Sequence, residues 1–126
     1  MFYVEQNSLS LGRLGEKIAK DYLISGGYVV VAKNARISHM EIDLIVQKDT
    51  EIRFIEVKTS KLRPNIINIT KPEDYLSQRK ICILKQAIYE YCLILAKNES
   101  NIHLDLIAVT INFNNMANIS HFKNVI

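Results

Sequence analysis

Apolar residues recur at helical spacing near the start of the chain. Leu11, Leu14, Ile18 and Tyr22 fall three, four and four positions apart, with Ala19 and Leu23 beside them. That period is one apolar stripe on a helix. Ser8 or Ser10 can cap its start and Gly26-Gly27 can end it, so the pattern predicts a helix over Leu9–Ser25. The period then changes. Tyr28–Ala32 is apolar and β-branched, which predicts a strand, and Asn34–Met40 reads as a connector. Glu41–Gln47 and Glu51–Lys58 are two further strand-like runs, and Lys48-Asp49-Thr50 between them has the composition of a tight turn. Thr59–Asp74 carries Pro64, Pro72 and several Asn and reads as a long loop, of a length more often functional or mobile than structural. Ile81, Leu84, Ile88, Tyr91 and Leu95 form a second helical stripe, predicting a helix over Ser77–Lys97. His103–Ile111 reads as a strand, and Ile119–Ile126 as a short strand or extended tail. The helix between the third and fourth strands permits a right-handed crossover, so those two strands are predicted to be parallel. The expectation is an α/β fold: a mixed sheet flanked by helices, in one domain over residues 1–126.

Composition agrees with a packed domain. A chain of 126 residues, 48% of them apolar, can bury one core and has little room for two. No apolar run approaches the roughly 20 residues that span a bilayer. Met1–Ser10 lacks the basic-then-apolar order of a secretory signal. Cys82 and Cys92 lie ten residues apart on different faces of one predicted helix, so they cannot pair there and lack zinc-site spacing. They read as two core thiols in a reducing compartment, and the expected location is the cytoplasm, with no membrane partner. Net charge is only +3, but Arg53, Lys58, Lys61, Arg63, Lys71, Arg79, Lys80 and Lys85 lie close in sequence against Glu56, Glu73 and Asp74. A local basic excess suits a phosphate-rich partner, and an ordinary solvated surface is the plainer reading.

The chemistry concentrates on one predicted hairpin. Side chains alternate along a strand, so Glu41 and Asp43 share a face, as do Glu56 and Lys58. A two-residue turn pairs Lys48 with Glu51, and a four-residue turn pairs Gln47 with Ile52. Either register places Asp43 opposite Glu56 and Glu41 opposite Lys58, with Cβ atoms about 5 Å apart. Opposed carboxylates are unfavourable in a sheet. A divalent cation would relieve them, and Mg²⁺ needs only one or two carboxylates besides water and phosphate. Lys58 could orient the attacking water or neutralise charge on a phosphorane. A plain Glu41–Lys58 ion pair beside two solvated acids is the alternative. His39, His103 and His121 share no ligand spacing and read as structural, and Tyr75 could stack on a base.

These residues carry a resemblance. Asp43 followed by Glu56-x-Lys58 is similar to the PD-(D/E)xK pattern of restriction-endonuclease-like nucleases. Leu14-Gly15-Glu16, Ala19, Tyr22-Leu23, Gly27-Tyr28, Asn34-Ala35-Arg36, Glu41-Ile42-Asp43-Leu44-Ile45 and Phe54-Ile55-Glu56-Val57-Lys58 follow in order. Lys80, Leu104-Asp105-Leu106-Ile107 and His121-Phe122-Lys123-Asn124-Val125 complete the set. Over nearly its whole length the chain resembles the YraN-like family of predicted endonucleases, relatives of archaeal Holliday-junction resolvases. The resemblance implies a restriction-endonuclease-like αβββαβ core and an endonuclease that hydrolyses DNA with Mg²⁺ or Mn²⁺. It implies Asp43 and Glu56 as metal ligands, Lys58 as the catalytic lysine, Glu41 as the motif acid and Glu16 as a further metal-shell carboxylate. Lys61, Arg63, Gln78 and Lys80 are then candidates for contacts to nucleic acid. Branched recombination or repair intermediates are the implied substrates, and a homodimer is left open. Met40 stands where family members usually carry glycine, and Thr59-Ser60-Lys61 where they tend to carry an arginine. The second reading is a nuclease-fold protein that binds or scaffolds nucleic acid without cutting it.

Overall fold

A computed structural model describes residues 2–3, 10–61, 75–95 and 101–126. Helix α1 (Leu11–Ser25) starts at Ser10, whose side chain accepts the Arg13 N–H at 3.3 Å. It stops at Gly26-Gly27, where Gly27 has φ +92, a backbone conformation that side-chain-bearing residues rarely adopt. The strands are β1 (Phe2–Tyr3), β2 (Val29–Ile37), β3 (Met40–Lys48), β4 (Glu51–Lys61), β5 (Ile102–Ile111) and β6 (Met116–Phe122). Helix α2 (Gln78–Leu95) connects β4 to β5. They form one sheet in the order β1-β6-β5-β4-β3-β2. All neighbours are antiparallel except β4 and β5, which pair in parallel across the α2 crossover, as expected.

The two helices cover opposite faces. Ile18, Ala19 and Leu23 of α1 pack with Leu44, Val46, Ile55, Val57 and Val109. Leu84, Ala87, Ile88 and Cys92 of α2 pack with Ile52, Phe54, Leu104 and Leu106. Phe54 meets the Tyr91 ring edge-on at 5.0 Å. Strands β4 and β5 are therefore buried on both sides, which explains their near-continuous apolar runs. No helix among the described residues is long and apolar enough to cross a membrane.

Four expectations change. The connector Asn34–Met40 is mostly strand: β2 runs on to Ile37, and a two-residue turn at Ser38-His39 leads into Met40. The pairing of β2 with β3 shifts between Val30 and Ala32, and Asn34 has φ 49. These irregularities, on an edge strand with exposed polar side chains, hide the strand's period. Strand β6 begins at Met116, because Asn112 Oδ1 accepts the N–H groups of Asn114 and Met116 and turns the chain early. Cys82 is exposed, so only Cys92 is a core thiol. Thr59–Lys61 of the expected loop extend β4, and residues 62–74 lie outside the described residues, as does the end of the second predicted helix.

One contact positions the site. A Cβ added at Gly15 would overlap the Thr59 hydroxyl and come within 2.7 Å of Thr59 Cβ and Cγ2. Helix α1 can approach the end of β4 this closely only because residue 15 has no side chain. Glu16, the next residue, is thereby held over the same end of the sheet.

Candidate active site

The β3–β4 hairpin has the two-residue turn: Lys48 pairs with Glu51, and the ladder continues in register to Leu44 and Ile55. Asp49 takes φ 55 within that turn. The paired residues end there, one step short of Asp43 and Glu56. In place of a further ladder bond, the Val57 N–H donates to Asp43 Oδ2 at 2.8 Å. The expected alternation of β3 also breaks at this point. Ile42 belongs to the core under α2, whereas Leu44 and Val46 belong to the core under α1. Asp43 thus sits where the strand changes face, next to the left-handed Asn34 of β2.

Glu56 lies on β4 with only 6% of its surface exposed, while Asp43 is half-buried. Burial raises the pKa of Glu56, and the neighbouring Asp43 charge raises it further, against opposing pulls from Lys80 and Lys58. Burial likewise raises Asp43, with Glu41 adding to the effect, while the Val57 N–H and the Lys58 and Lys80 charges oppose it. Burial, then Asp43 and Glu41, raise Glu16. Four carboxylates from α1, β3 and β4 therefore share one electrostatic neighbourhood, and two of them are substantially withdrawn from water.

Lys58 does not pair with Glu41. Its ammonium lies 3.5 Å from Glu56 Oε1, and its side chain is 41% exposed. Glu41 is exposed at the start of β3. Lys80, in the first turn of α2, reaches the site electrostatically, and its backbone N–H is capped by Ser77 Oγ at 3.1 Å. Gln78 is exposed at the same helix end. Lys61 is exposed at the end of β4, on the face opposite Lys58. Arg63 lies outside the described residues. Met40 pairs with Ile37 and packs on the α2-side core, and the left-handed positions nearby are Asn34 and Ser38.

The donor set suits a hard cation with few protein ligands. No group of three His, Cys, Asp or Glu side chains that could hold a metal ion occurs among the described residues. Asp43 and Glu56 supply two oxygen-donor groups, the number Mg²⁺ typically takes when waters and substrate phosphates complete its shell. No His or Cys is grouped with them among the described residues, which gives zinc no soft or nitrogen ligand there.

Two features escaped the sequence. Arg13, Lys17 and Lys20 of α1 and Lys33 of β2 line an open cleft of about 330 Å³ that reaches Glu16 and Asp43. The spacing of Arg13, Lys17 and Lys20 was a readable signal, since i, i+4, i+7 is one helix face. His121 is structural as expected, but its partners were not foreseen: its Nε2 lies 2.7 Å from Asp105 Oδ2 and its Nδ1 2.9 Å from the Tyr22 hydroxyl. Tyr75 packs toward Phe122, with ring centres 6.4 Å apart.

The sequence profile of UPF0102, described as an uncharacterised protein family, matches residues 15–109. A UPF0102 protein of Thermodesulfovibrio yellowstonii is 35% identical over 119 residues, covering 92% of this chain and 95% of the relative. UPF0102 protein FP2501 of Flavobacterium psychrophilum is 33% identical over 99 residues, 79% of each chain. Among solved structures, Pyrococcus furiosus SfsA in complex with Ca²⁺ aligns over 90% of this chain and 62% of its own, with a TM-score of 0.41 and 12% identity.

Proposed function

This chain belongs to the UPF0102 family, and from that premise we propose that it is a metal-dependent endonuclease hydrolysing DNA phosphodiester bonds, branched repair or recombination intermediates included. One observation carries the reading: Asp43 and Glu56, two carboxylates whose pKa values burial pushes up, the first also by Glu41 and the second also by Asp43, meet at a strand end beside Lys58 and Lys80. Such a pair is costly to hold apart from a cation, and perturbed acids in a cleft mark functional sites more often than structural ones.

Asp43 and Glu56 would hold Mg²⁺ or Mn²⁺. The bound ion would supply a water of lowered pKa and offset charge on the phosphate under attack. The chain's own groups do the rest. The Val57 N–H fixes the orientation of Asp43 and leaves its Oδ1 free of that bond. Lys58, held loosely at 3.5 Å from Glu56, can turn toward a phosphate oxygen and neutralise developing charge. Lys80 adds a second positive charge from α2. Glu16 faces the same neighbourhood from α1, where its carboxylate would complete the shell around the ion or accept a hydrogen bond from a water beside it.

Purified protein is incubated with single-stranded, duplex and branched DNA in Mg²⁺ or Mn²⁺, beside Asp43→Asn. Cleavage by the wild type and a loss of at least about 100-fold in the variant are expected, since several kcal/mol of charge stabilisation would go. No cleavage of any substrate in either metal, or equal cleavage by the variant, sinks the reading. That no three such side chains are grouped closely enough to hold an ion among the described residues favours a second reading, a DNA-binding module without cleavage. Calorimetric titration with Mn²⁺ separates the two, because only the enzyme requires Asp43-dependent uptake of the ion.

A further inference from the structure

The cleft between α1 and β2 has two ends of opposite charge. At one end stand Glu16 and Asp43; along the rest stand Arg13, Lys17, Lys20 and Lys33. None of the four cations makes an ion pair with a described residue. They come from both walls, three from one face of α1 and one from β2, so their charges converge on the space between rather than pointing away from each other. Bringing four unpaired cations to one cleft is unfavourable unless an anion enters it. Arg13 and Lys33 also act on Glu16, which makes the basic stretch continuous with the acidic end.

We infer that this cleft takes the phosphodiester backbone of one nucleic-acid strand, leading it to or away from the acid cluster. The inference rests on the nuclease reading for its direction, with the cut phosphate at Asp43 and its neighbours over the lysines. The dimensions fit. Arg13 to Lys20 spans seven residues of helix, about 10 Å at 1.5 Å per residue. At the roughly 3.4 Å of axis per phosphate of a stacked strand, that length faces at most about three phosphates, and fewer of a more extended strand. The volume of about 330 Å³ is that of a pocket for a nucleotide-sized unit. A volume of about 330 Å³ is too small to enclose a B-form duplex, whose major groove alone is about 12 Å wide. The substrate class that follows is a nucleic acid with a single-stranded segment, such as a flap, a gap or the arm of a branch. The basic residues that composition highlighted, between Arg53 and Lys85, lie elsewhere in the chain.

The test separates binding from cutting. A fluorescein-labelled single-stranded oligonucleotide is titrated in EDTA over a series of salt concentrations, against wild type, Lys17→Ala/Lys33→Ala and the control Lys85→Ala/Lys123→Ala. Cleavage in Mn²⁺ is followed in parallel, and circular dichroism checks folding. The cleft variant should bind several-fold more weakly, with a log–log salt slope shallower by about 1.4, two single-strand phosphate contacts at about 0.7 each. The control should match the wild type, and a blunt duplex should bind less tightly than the single strand. Equal loss in both variants, no loss in the cleft variant, or failure of the wild type to bind would each overturn the inference. If the slope falls as expected but the wild type cuts nothing, the cleft stands and the nuclease reading fails. If the wild type cuts and the cleft variant binds unchanged, the reverse holds.

Discussion

Arg53 and Glu56 are three residues apart on β4, each 6% exposed, and their surroundings differ in kind. Arg53 donates to Asp105 at 2.9 Å, to Glu51 at 2.9 Å and to Asn124 Oδ1 at 2.8 Å. Asp105, fully buried, also accepts the Asn124 N–H at 3.0 Å and stands 2.7 Å from His121. Only Arg53 Nε in this group lacks a partner. Among the described residues Glu56 has one ion pair, Lys58 at 3.5 Å, and an acidic neighbour. The pKa directions follow. Burial pushes Asp105 up, but His121, the Asn124 N–H and Arg53 outweigh it and hold it below the usual carboxylate range. Burial pushes Asp43 and Glu56 up, and too little opposes it. One cluster holds β4, β5 and the C-terminal segment together. The other is left under-compensated, which is how a fold keeps a binding site at some expense in stability.

The largest break in that contrast should come from Asp105→Ala. Removing it leaves Arg53 buried without its main partner, at about 3–5 kcal/mol. Urea unfolding measures this, and a loss under 1 kcal/mol would show that the buried network is not holding the fold. Next, Gly15→Ala should cost about 1–3 kcal/mol by overpacking against Thr59, and Thr59→Gly should restore most of it. If Gly15→Ala is neutral, the close seating of α1 on β4 is wrong. The smallest effect has the opposite sign: Glu56→Gln should stabilise the metal-free protein, by up to about 1 kcal/mol, while reducing cleavage. Unchanged or lower stability would mean that the acids do not repel.

Acid titration sharpens the same comparison. Asp43 and Glu56 have folded-state pKa values above their unfolded ones. Their penalty is therefore relieved as pH falls through the raised values, and is fully relieved below about 4. Asp105 has a folded value below its unfolded one, so its contribution is present above about 4 and is lost as pH falls through the depressed value. Metal-free wild type should gain stability as pH falls from neutral toward the unfolded carboxylate value of about 4, and lose it below that as Asp105 is protonated. Glu56→Gln should flatten the gain and leave the acid loss. Urea midpoints across the pH series read both limbs; a wild type that loses stability steadily from neutral pH would contradict the first.

Periodicity made most of the fold legible. The stripes from Leu11 to Tyr22 and from Ile81 to Leu95 and the apolar runs of β4 and β5 are single-period signals, and the parallel crossover followed from element order. The even turn at Asp49-Thr50 made the approach of Asp43 to Glu56 readable before any coordinates. What stayed hidden depends on backbone irregularity or long-range contact. A shifted register and a left-handed Asn34 disguised β2, and a two-residue β1 gives no period at all. The paired ladder of β3 and β4 ends at Leu44 and Ile55, so the register did not fix the partner of Lys58, which lies against Glu56. Lys33 meets α1 only across the fold, and no local window connects it to Lys17.

The hydrogen bond from Val57 to Asp43 makes one backbone amide an observer of the site. Its proton sits on a carboxylate whose charge changes with pH and would be shared with any cation bound there. In a ¹⁵N-labelled sample, the Val57 cross-peak should move with Asp43 ionisation and again on adding Mg²⁺, while its exchange with deuterated water slows or quickens in step. A single resonance would then report site occupancy in the absence of any substrate.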